Sequence, residues 1–268
     1  MQTIDLVKVE HDRKKGKECE YIEPTVKESC YLRDGDEIIG AYFSDASELF
    51  PKLAKFMSVA NAEFLSKRVP KTPLKRSDVM QNKWKHGLTH KEACESGTVQ
   101  YSTIIGNVPA RKLMRRDYHN RSAVHAIDSA QTFIKAMLLA SNEIEKAMAA
   151  VLPDQHKAHE KALEGVDDEW RFGNLFTSSI SNYNISAPFH QDKSNIVGTL
   201  NAIYTHRHNS NGGSLYVPDY DACFEMPSGS LLFYPAWRNM HAVTPIIPTH
   251  DGGYRNSLIF YAIKAFKS

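Results

Sequence analysis

Residues 176–208 read FTSSISNYNISAPFHQDKSNIVGTLNAIYTHRH and set the pattern of the last third of the chain. Short β-rich runs of this kind lie at 176–185, 195–206, 214–217, 230–234, 242–247 and 257–266. Gly, Asn, Pro and Ser cluster between several of these runs, where turns are expected. Because no helix-length segment separates them, the pattern favours an antiparallel sandwich or barrel over a parallel βαβ sheet.

The chain before residue 171 has a different, helical and basic character. Spacings of three and four predict a helix within 45–65, with Ser44 or Asp45 as its cap and Pro51 near its first turn. Its predicted stripe is Phe56, Val59, Ala60, Glu63 and Phe64. A second helix is predicted from Asp128 to just before Pro153, with the buried stripe Phe133, Met137, Ile144, Met148 and Val151. Residues 1–36 are predicted to form an extended arm or a partly ordered strand region.

Length and composition limit the class of protein. The chain has 268 residues, of which 42% are hydrophobic, and this suffices for a full core. Its apolar stretches fall far short of the about 20 residues that cross a bilayer, and residues 1–17 lack the apolar segment of a secretory signal. We therefore expect no membrane span and a protein that is not secreted but lies in the cytoplasm, the nucleus or a virus-infected cell.

Two further compositional features narrow the possibilities. Cys19, Cys30, Cys94 and Cys223 are scattered without a C-x-x-C pair, which argues against a structural zinc site and a disulfide framework. The net charge of +2 is too small to indicate a polyanionic partner by itself. Composition leaves the oligomeric state undetermined.

Three side chains of the β-rich region form a candidate metal site. His190 and Asp192 are two positions apart in an extended segment, so their side chains point the same way, while Gln191 between them faces away. His241 lies on a later strand that can fold back against this pair. Two imidazoles and one carboxylate can occupy one face of an octahedral metal, which is the arrangement of Fe(II) oxygenases. A surface histidine is the competing interpretation of His241, and an H-x-D pair alone says little in a chain with 12 histidines.

A candidate cosubstrate site follows on the last strand. Arg255 and Ser257 share one face of this strand, and a guanidinium with a nearby hydroxyl suits the distal carboxylate of a dicarboxylate such as 2-oxoglutarate. A salt-bridged arginine is the alternative. Tyr204 lies on the strand face of Leu200 and Ile196, and it is either a further cosubstrate donor or a core aromatic residue.

The segments His190-Gln191-Asp192, His241 and Arg255-Asn256-Ser257 resemble the H-x-D, distal His and R-x-S elements of the 2-oxoglutarate/Fe(II)-dependent dioxygenase superfamily, over about 176–266. This resemblance implies a mainly β fold, with a double-stranded β-helix (jelly-roll) catalytic core at 171–268 and helices packed on it. The region 1–170 would then support the core and bind substrate, within one compact unit. It also implies Fe(II), 2-oxoglutarate and O2, with His190, Asp192 and His241 as metal ligands and Arg255, Ser257 and Tyr204 at the cosubstrate.

The segment 190–195, HQDKSN, resembles the H-x-D-K-x-N signature of the TET/JBP-like dioxygenases. This likeness implies hydroxylation of a pyrimidine base, 5-methylcytosine or thymine, in nucleic acid. Asn184, Asn195 and Lys193 are then candidate substrate contacts, with a turn or solvated strand edge as the alternative interpretation. With only four cysteines, the chain would resemble compact microbial or viral members.

DNA is the partner that this likeness implies. The basic stretches 67–85 and 111–121, with Trp84 and Tyr118, would supply cations for phosphates and aromatic rings for stacking. Solvated charged surfaces are the competing interpretation of both stretches. Tyr261 stands where AlkB-type repair enzymes carry a second arginine, which argues against that class.

Two other functions remain open. One is a hydroxylase of an amino acid, a peptide or another small metabolite, with the N-terminal helices as a lid. The other is a jelly-roll binding protein without redox chemistry. Two more side chains, His206 and His208, lie beside the polar segment 209–213 and are predicted not to be metal ligands.

Overall fold

The computed structural model describes residues 1–73, 100–110 and 117–268. The α-helices in these ranges are α1 (Pro51–Leu65), α2 (Gln131–Val151) and α3 (Pro153–Ala162). The strands in the first part of the chain are β1 (Gln2–Asp5), β2 (Cys30–Asp34), β3 (Glu37–Phe43), β4 (Thr72–Pro73), β5 (Tyr101–Val108) and β6 (Asn120–Arg121). The later strands are β7 (Ser178–Tyr183), β8 (Ala187–His190), β9 (Asn201–His208), β10 (Ser210–Gly212), β11 (Leu215–Val217), β12 (Ala222–Phe224), β13 (Leu231–Tyr234), β14 (His241–Val243), β15 (Ile246–Pro248) and β16 (Tyr254–Tyr261).

Two packed sheets form the β-rich region. Within the described ranges, the main sheet has the order β1-β2-β3-β13-β9-β16-β7-β5-β4, with β6 paired to β5. The second sheet has the order β12-β11-β14-β8, and β10 pairs with β15 beside it. Residues of both sheets, such as Leu232, Leu215 and Phe224, share one hydrophobic cluster. The fold is therefore a jelly roll of the predicted double-stranded β-helix type, mainly β with helices packed on it.

Strand β16 shows how the main sheet separates two environments. Leu258 and Phe260 are fully buried on one face, in the same cluster as Phe133 of α2. Arg255 and Ser257 point to the other face, toward a cavity between the sheets. This alternation follows from the two-residue period of a strand. One strand thus contributes both to the helix-covered core and to the cavity.

The predicted helices are largely confirmed. Helix α2 buries Phe133, Met137, Ile144 and Met148 as predicted, and Val151 at its end is partly buried. Helix α1 begins at Pro51, because proline at the first turn loses no helical hydrogen bond. Its predicted stripe is wrong at Val59, which is 39% exposed. Ala60, Glu63 and Phe64 are buried as predicted and Phe56 is partly buried, while Leu53 and Met57 complete the buried stripe.

Helix α3 was not predicted from the sequence. Pro153 ends α2 but also occupies the first turn of α3, and the segment that follows is too polar to show an apolar stripe. The fully buried His159 fastens α3 to the β-rich region: Nε2 lies 2.7 Å from the carbonyl oxygen of Leu175. The backbone N–H of Leu200 donates to His159 Nδ1 at 3.2 Å. Since both ring nitrogens have partners, this histidine has a structural role.

The N-terminal region contributes strands to the main sheet. Strands β1 and β2 pair in parallel, and β3 lies between β2 and β13, so strands from either side of the predicted boundary at 170 share the main sheet. That 1–170 supports the core and binds substrate while 171–268 is the catalytic core remains a prediction.

Cys19, Cys30 and Cys223 are buried free thiols, while Cys94 lies outside the described residues. Over the described ranges, no helix has the length and apolar character that spanning a bilayer requires.

Replacing Phe260 by alanine should destabilise the fold by about 3–5 kcal/mol, because it opens a cavity between the main sheet and the helices. Denaturant unfolding measures this loss. Val197→Ala is the matched control, since Val197 is 69% exposed, and its expected change is within about 0.5 kcal/mol. Equal losses in the two variants would contradict the placement of Phe260 in the core.

Candidate metal centre

Strand pairing brings the three predicted metal ligands together. His190 ends β8 and His241 begins β14, and the two residues are direct partners in the antiparallel register. Their ring centroids are 4.3 Å apart. Asp192 follows two positions after His190, with its Oδ1 3.6 Å from His190 Nε2. One potential ligand atom from each residue lies within 4.8 Å of the others, so the cluster has the size of a metal site.

Backbone contacts set the tautomers of both histidines. His190 Nδ1 lies 2.8 Å from the carbonyl oxygen of Pro188, and His241 Nδ1 lies 3.1 Å from that of Asn239. A carbonyl oxygen only accepts, so Nδ1 carries a proton in each ring, and Nε2 is the nitrogen that remains for a metal. Burial and the neighbouring His190 lower the pKa of His241 to about 4. His241 is therefore a neutral imidazole at neutral pH, which is the form that binds metals.

Two asparagines hold the carboxylate. Asn201 Nδ2 donates to Asp192 Oδ2 at 3.3 Å, and Asn195 Nδ2 donates to Asn201 Oδ1 at 2.7 Å. Both asparagines are buried and line the cavity. The predicted substrate contact Asn195 thus has a structural partner as well as a place on the cavity wall. Asn201 was missed in the sequence, although it is a polar residue on the face that also carries Ile203.

The loop before His241 is fastened by the H-x-D segment itself. Gln191 points away from the cavity as predicted, and its Nε2 donates to the carbonyl oxygens of Trp237 at 2.6 Å and Arg238 at 3.1 Å. The backbone N–H of Asp192 donates to the carbonyl oxygen of Ala236 at 3.0 Å. Hydrogen bonds therefore join the segment that carries His190 and Asp192 to the loop that leads into His241.

The N-terminal arm supports β8 from its outer side. The N–H of Gly16 donates to the carbonyl oxygen of Phe189 at 2.7 Å, and the N–H of Phe189 donates to that of Lys17 at 2.9 Å. Cys19 packs with Phe189 and Tyr216 in a small cluster on the second sheet. The strand that carries His190 thus has β14 on one side and the arm on the other.

The cluster opens onto a cavity of about 290 Å³ between the two sheets. This volume is at the lower end of the range of small-molecule sites, about 300–1,000 Å³. Apolar side chains form much of its wall, including Ile180, Ile203, Leu215 and Val243. Arg255, Ser257 and Asn182 add polar groups from the main sheet. The predicted metal ligands and the predicted cosubstrate residues Arg255 and Ser257 thus line the same cavity.

Arg255 is a buried cation that has no acidic partner among the described residues. The residue is only 2% exposed, and in that part of the chain its buried Nε atom has no hydrogen-bond partner. No ion pair joins it to a carboxylate anywhere in the described ranges, so the salt-bridged alternative is not observed there. Burial and the charge of Arg207 lower the pKa of Arg255. A bound anion would compensate this charge.

Gly213 makes room for the Arg255 side chain. A Cβ atom on Gly213 would lie 2.3 Å from Arg255 Cδ and 2.8 Å from its Nε, and the glycine has a φ of +67°. The sequence predicts a turn over 209–213, which includes this glycine. In the structure 210–212 form β10 and Gly213 begins the connection to β11, where the arginine that packs on it also requires a glycine.

The expected cosubstrate contact of Tyr204 is not met in the structure. Tyr204 is 2% exposed in the core on the helix side of the main sheet, where it is the cross-strand partner of Leu258. Its neighbours Asn201 and Ile203 take the cavity face of β9. The strand alternation therefore points Tyr204 away from the cavity, and its alternative interpretation as a core aromatic residue is the correct one.

Two candidate substrate contacts also lie off the cavity wall. Asn184, with a φ of 52°, accepts from the N–H of Arg255 at 2.8 Å through Oδ1, and its own N–H donates to the carbonyl oxygen of Arg255 at 2.9 Å. It therefore holds the Arg255 backbone. Lys193 is exposed and does not line the cavity. His206 and His208, which were predicted not to be metal ligands, do not belong to the cluster of His190, Asp192 and His241.

The basic stretches lie mostly outside the described residues. This applies to Lys75, Arg76, Lys83, Trp84 and Lys85, and to Arg111, Lys112, Arg115 and Arg116. Of the described members, Arg68 is paired with Glu63 at 2.7 Å, and Lys71 lies 5.6 Å from the centroid of the Phe64 ring. Tyr118 is 60% exposed.

Comparison with known proteins places the fold. Neither a protein-family model nor a curated protein sequence matches the chain. The solved structure of NgTET1 in complex with 5mC DNA matches it with a TM-score of 0.55 and 17% identity, over 92% of this chain and 81% of that one. An oxidoreductase of the 2OG-Fe(II) oxygenase family from Burkholderia pseudomallei matches with a TM-score of 0.44 and 14% identity, over 76% and 77% of the two chains. The likeness to NgTET1 shows a shared fold.

Gly213→Ala should destabilise the protein more than Gly35→Ala. Both glycines have positive φ, +67° and +61°, but a Cβ at Gly35 meets nothing within 4 Å. Backbone strain alone should cost about 1–2 kcal/mol at Gly35, and displacement of Arg255 should add about 1–3 kcal/mol at Gly213. Denaturant unfolding of both variants measures the difference. Equal losses would show that Arg255 does not depend on this contact.

Proposed function

We propose that this protein is a dioxygenase that depends on Fe(II) and 2-oxoglutarate. The proposal rests on one observation: the His190, Asp192 and His241 cluster shares a cavity with the buried Arg255, which pairs with no carboxylate among the described residues. One group suits a divalent iron, and the other suits the distal acid of a dicarboxylate. A binding protein without redox chemistry would need neither.

The donor set fits iron. Two neutral imidazole nitrogens and one carboxylate are the ligands of non-haem Fe(II) oxygenases, and they leave further coordination positions open. When Fe(II) and 2-oxoglutarate are bound, the chemistry of O2 at such a site would put one oxygen atom into a substrate C–H bond and the other into succinate, with release of CO2. His190, Asp192 and His241 would hold the metal, while Asn201 keeps Asp192 oriented, as outer hydrogen bonds do at metal sites.

The remaining cavity residues would bind and orient the cosubstrate. Arg255 would pair with its distal carboxylate through two parallel hydrogen bonds, and Ser257 on the same strand face would donate its hydroxyl. Ile180 and Ile203 would pack against the carbon chain and keep water out. A low-dielectric wall strengthens the pairing of the guanidinium with the acid.

For the substrate, we propose a pyrimidine base in nucleic acid, 5-methylcytosine or thymine. Three features support this choice: the 190–195 segment, the fold shared with NgTET1, and the position of Asn195 on the cavity wall. Asn195 has an amide that can read a base edge, as side-chain amides do. The base would have to leave its stack to reach the cavity. A DNA partner would bind through the basic stretches, and an amino acid, peptide or small metabolite is the competing substrate class.

Loss of a metal ligand should abolish turnover. Succinate formation by His190→Ala and Asp192→Ala proteins is expected to fall by more than about 100-fold, since even outer-sphere changes at metal sites cost about 10–100-fold. The matched control is His208→Ala, because His208 is exposed and outside the cluster. Wild-type succinate formation in the Asp192 variant would contradict the proposed function.

The substrate class is tested with duplex and single-stranded DNA containing 5-methylcytosine or thymine, followed by mass spectrometry of the nucleosides. We expect an oxidised pyrimidine that requires both Fe(II) and 2-oxoglutarate. DNA binding should weaken steeply with salt, because phosphate contacts release counterions. If no base is oxidised while an amino acid or peptide is hydroxylated, the small-metabolite class is correct.

A further inference from the structure

A second arginine lies beside the proposed cosubstrate residue. Arg207 on β9 is the direct cross-strand partner of Arg255 on β16. Directly paired residues of antiparallel strands project to the same face, with Cβ atoms about 4.5–5.5 Å apart. The same face of β9 carries Asn201 and Ile203, which line the cavity. The two cations therefore leave the main sheet side by side.

In the part of the chain that the structure describes, no carboxylate contacts either guanidinium. The Nε atoms of Arg207 and Arg255 are both buried and have no hydrogen-bond partner there. Within the described ranges, none of the ion pairs includes either residue. The charge of Glu225 acts on Arg207 and favours its protonated form. Arg255 is buried and Arg207 is partly buried, so two adjacent cations in this partly desolvated place are costly, and a bound anion would remove much of that cost.

The Gly212-Gly213 segment, where β10 ends, contacts both side chains. Arg207 Nη2 donates to the carbonyl oxygen of Gly212, and the Arg255 stem lies against Gly213, where a Cβ atom would be 2.3 Å away. A side chain on Gly212 is excluded as well, since its Cβ would lie 1.9 Å from the carbonyl oxygen of Pro245. The same short segment thus contacts both arginines.

We propose that Arg207 is a positioning and specificity residue of the cosubstrate site, where its charge acts with Arg255 to select 2-oxo acids that carry a distal carboxylate. This inference rests on the proposed function. Arg207 does not itself line the cavity, so it acts through its field on the acid and on Arg255. A cation in a partly desolvated site attracts a nearby anion more strongly than it would in water, because the surroundings screen the two charges less.

Calorimetric titration with two ligands separates charge from shape. The protein is loaded with Mn(II) in place of Fe(II), without O2, and titrated with 2-oxoglutarate and with 2-oxopentanoate, which has the same chain length but no distal acid. In Arg207→Gln, the dissociation constant for 2-oxoglutarate should rise about tenfold, equivalent to about 1.4 kcal/mol. The constant for 2-oxopentanoate should stay within about twofold of wild type.

Matched variants distinguish the charge from the hydrogen bond to Gly212. Glutamine keeps a donor but loses the charge, whereas Arg207→Lys keeps the charge and should retain most of the preference for 2-oxoglutarate. Arg207→Met is a second neutral variant in case the glutamine protein does not fold, and unfolding midpoints identify folded variants. A neutral variant that weakens both ligands equally, or neither, would overturn the role of Arg207. If wild-type protein binds neither ligand, the proposed function itself fails.

Discussion

The antiparallel register of β8 against β14 is the constraint on which the candidate site depends. It sets His190 opposite His241, and a slip of one residue would turn one of the two imidazoles out of the cavity. The register is irregular between His241 and Val243, yet both side chains line the cavity. Gln191 and Asp192 add hydrogen bonds to the loop before His241. The ligand geometry is therefore fixed by backbone pairing before any metal binds.

The main sheet lets one set of strands serve two purposes. On β16 and β9, alternate side chains enter the core against α2 or the cavity against the second sheet. Apolar packing on the helix side holds these strands firmly, and the cavity side can then carry charges that would otherwise destabilise the fold. The buried Arg255 is an example, because its backbone is fixed by Asn184 and its stem by Gly213. Such rigidity keeps a binding group in place without a ligand.

Much of the fold could be predicted from the sequence because periodicity is a local property. The strand runs, helix α2 and the order of His190, Asp192, His241 and Arg255 are of this kind. Tyr204 shows the limit: the strand was predicted correctly, but which face meets the cavity depends on the partner sheet. Helix α3 has almost no apolar stripe, so its burial through His159 was invisible. Asn201, which holds Asp192, and Gly213, which makes room for Arg255, act through contacts between distant segments. Such contacts leave no local pattern in the sequence.

The pairing of Gly16 and Lys17 with Phe189 has a consequence for how this chain reaches its native state. Residues from the beginning of the chain close the open side of a strand from its last third, so this contact has a very large sequence separation. Contacts of this kind form late, because a long loop must close first. Until the arm returns, β8 presents unpaired N–H and C=O groups of the sort that other chains can pair with. By pairing with β8, the arm occupies the edge that carries His190 and so hinders the addition of a strand from another chain there.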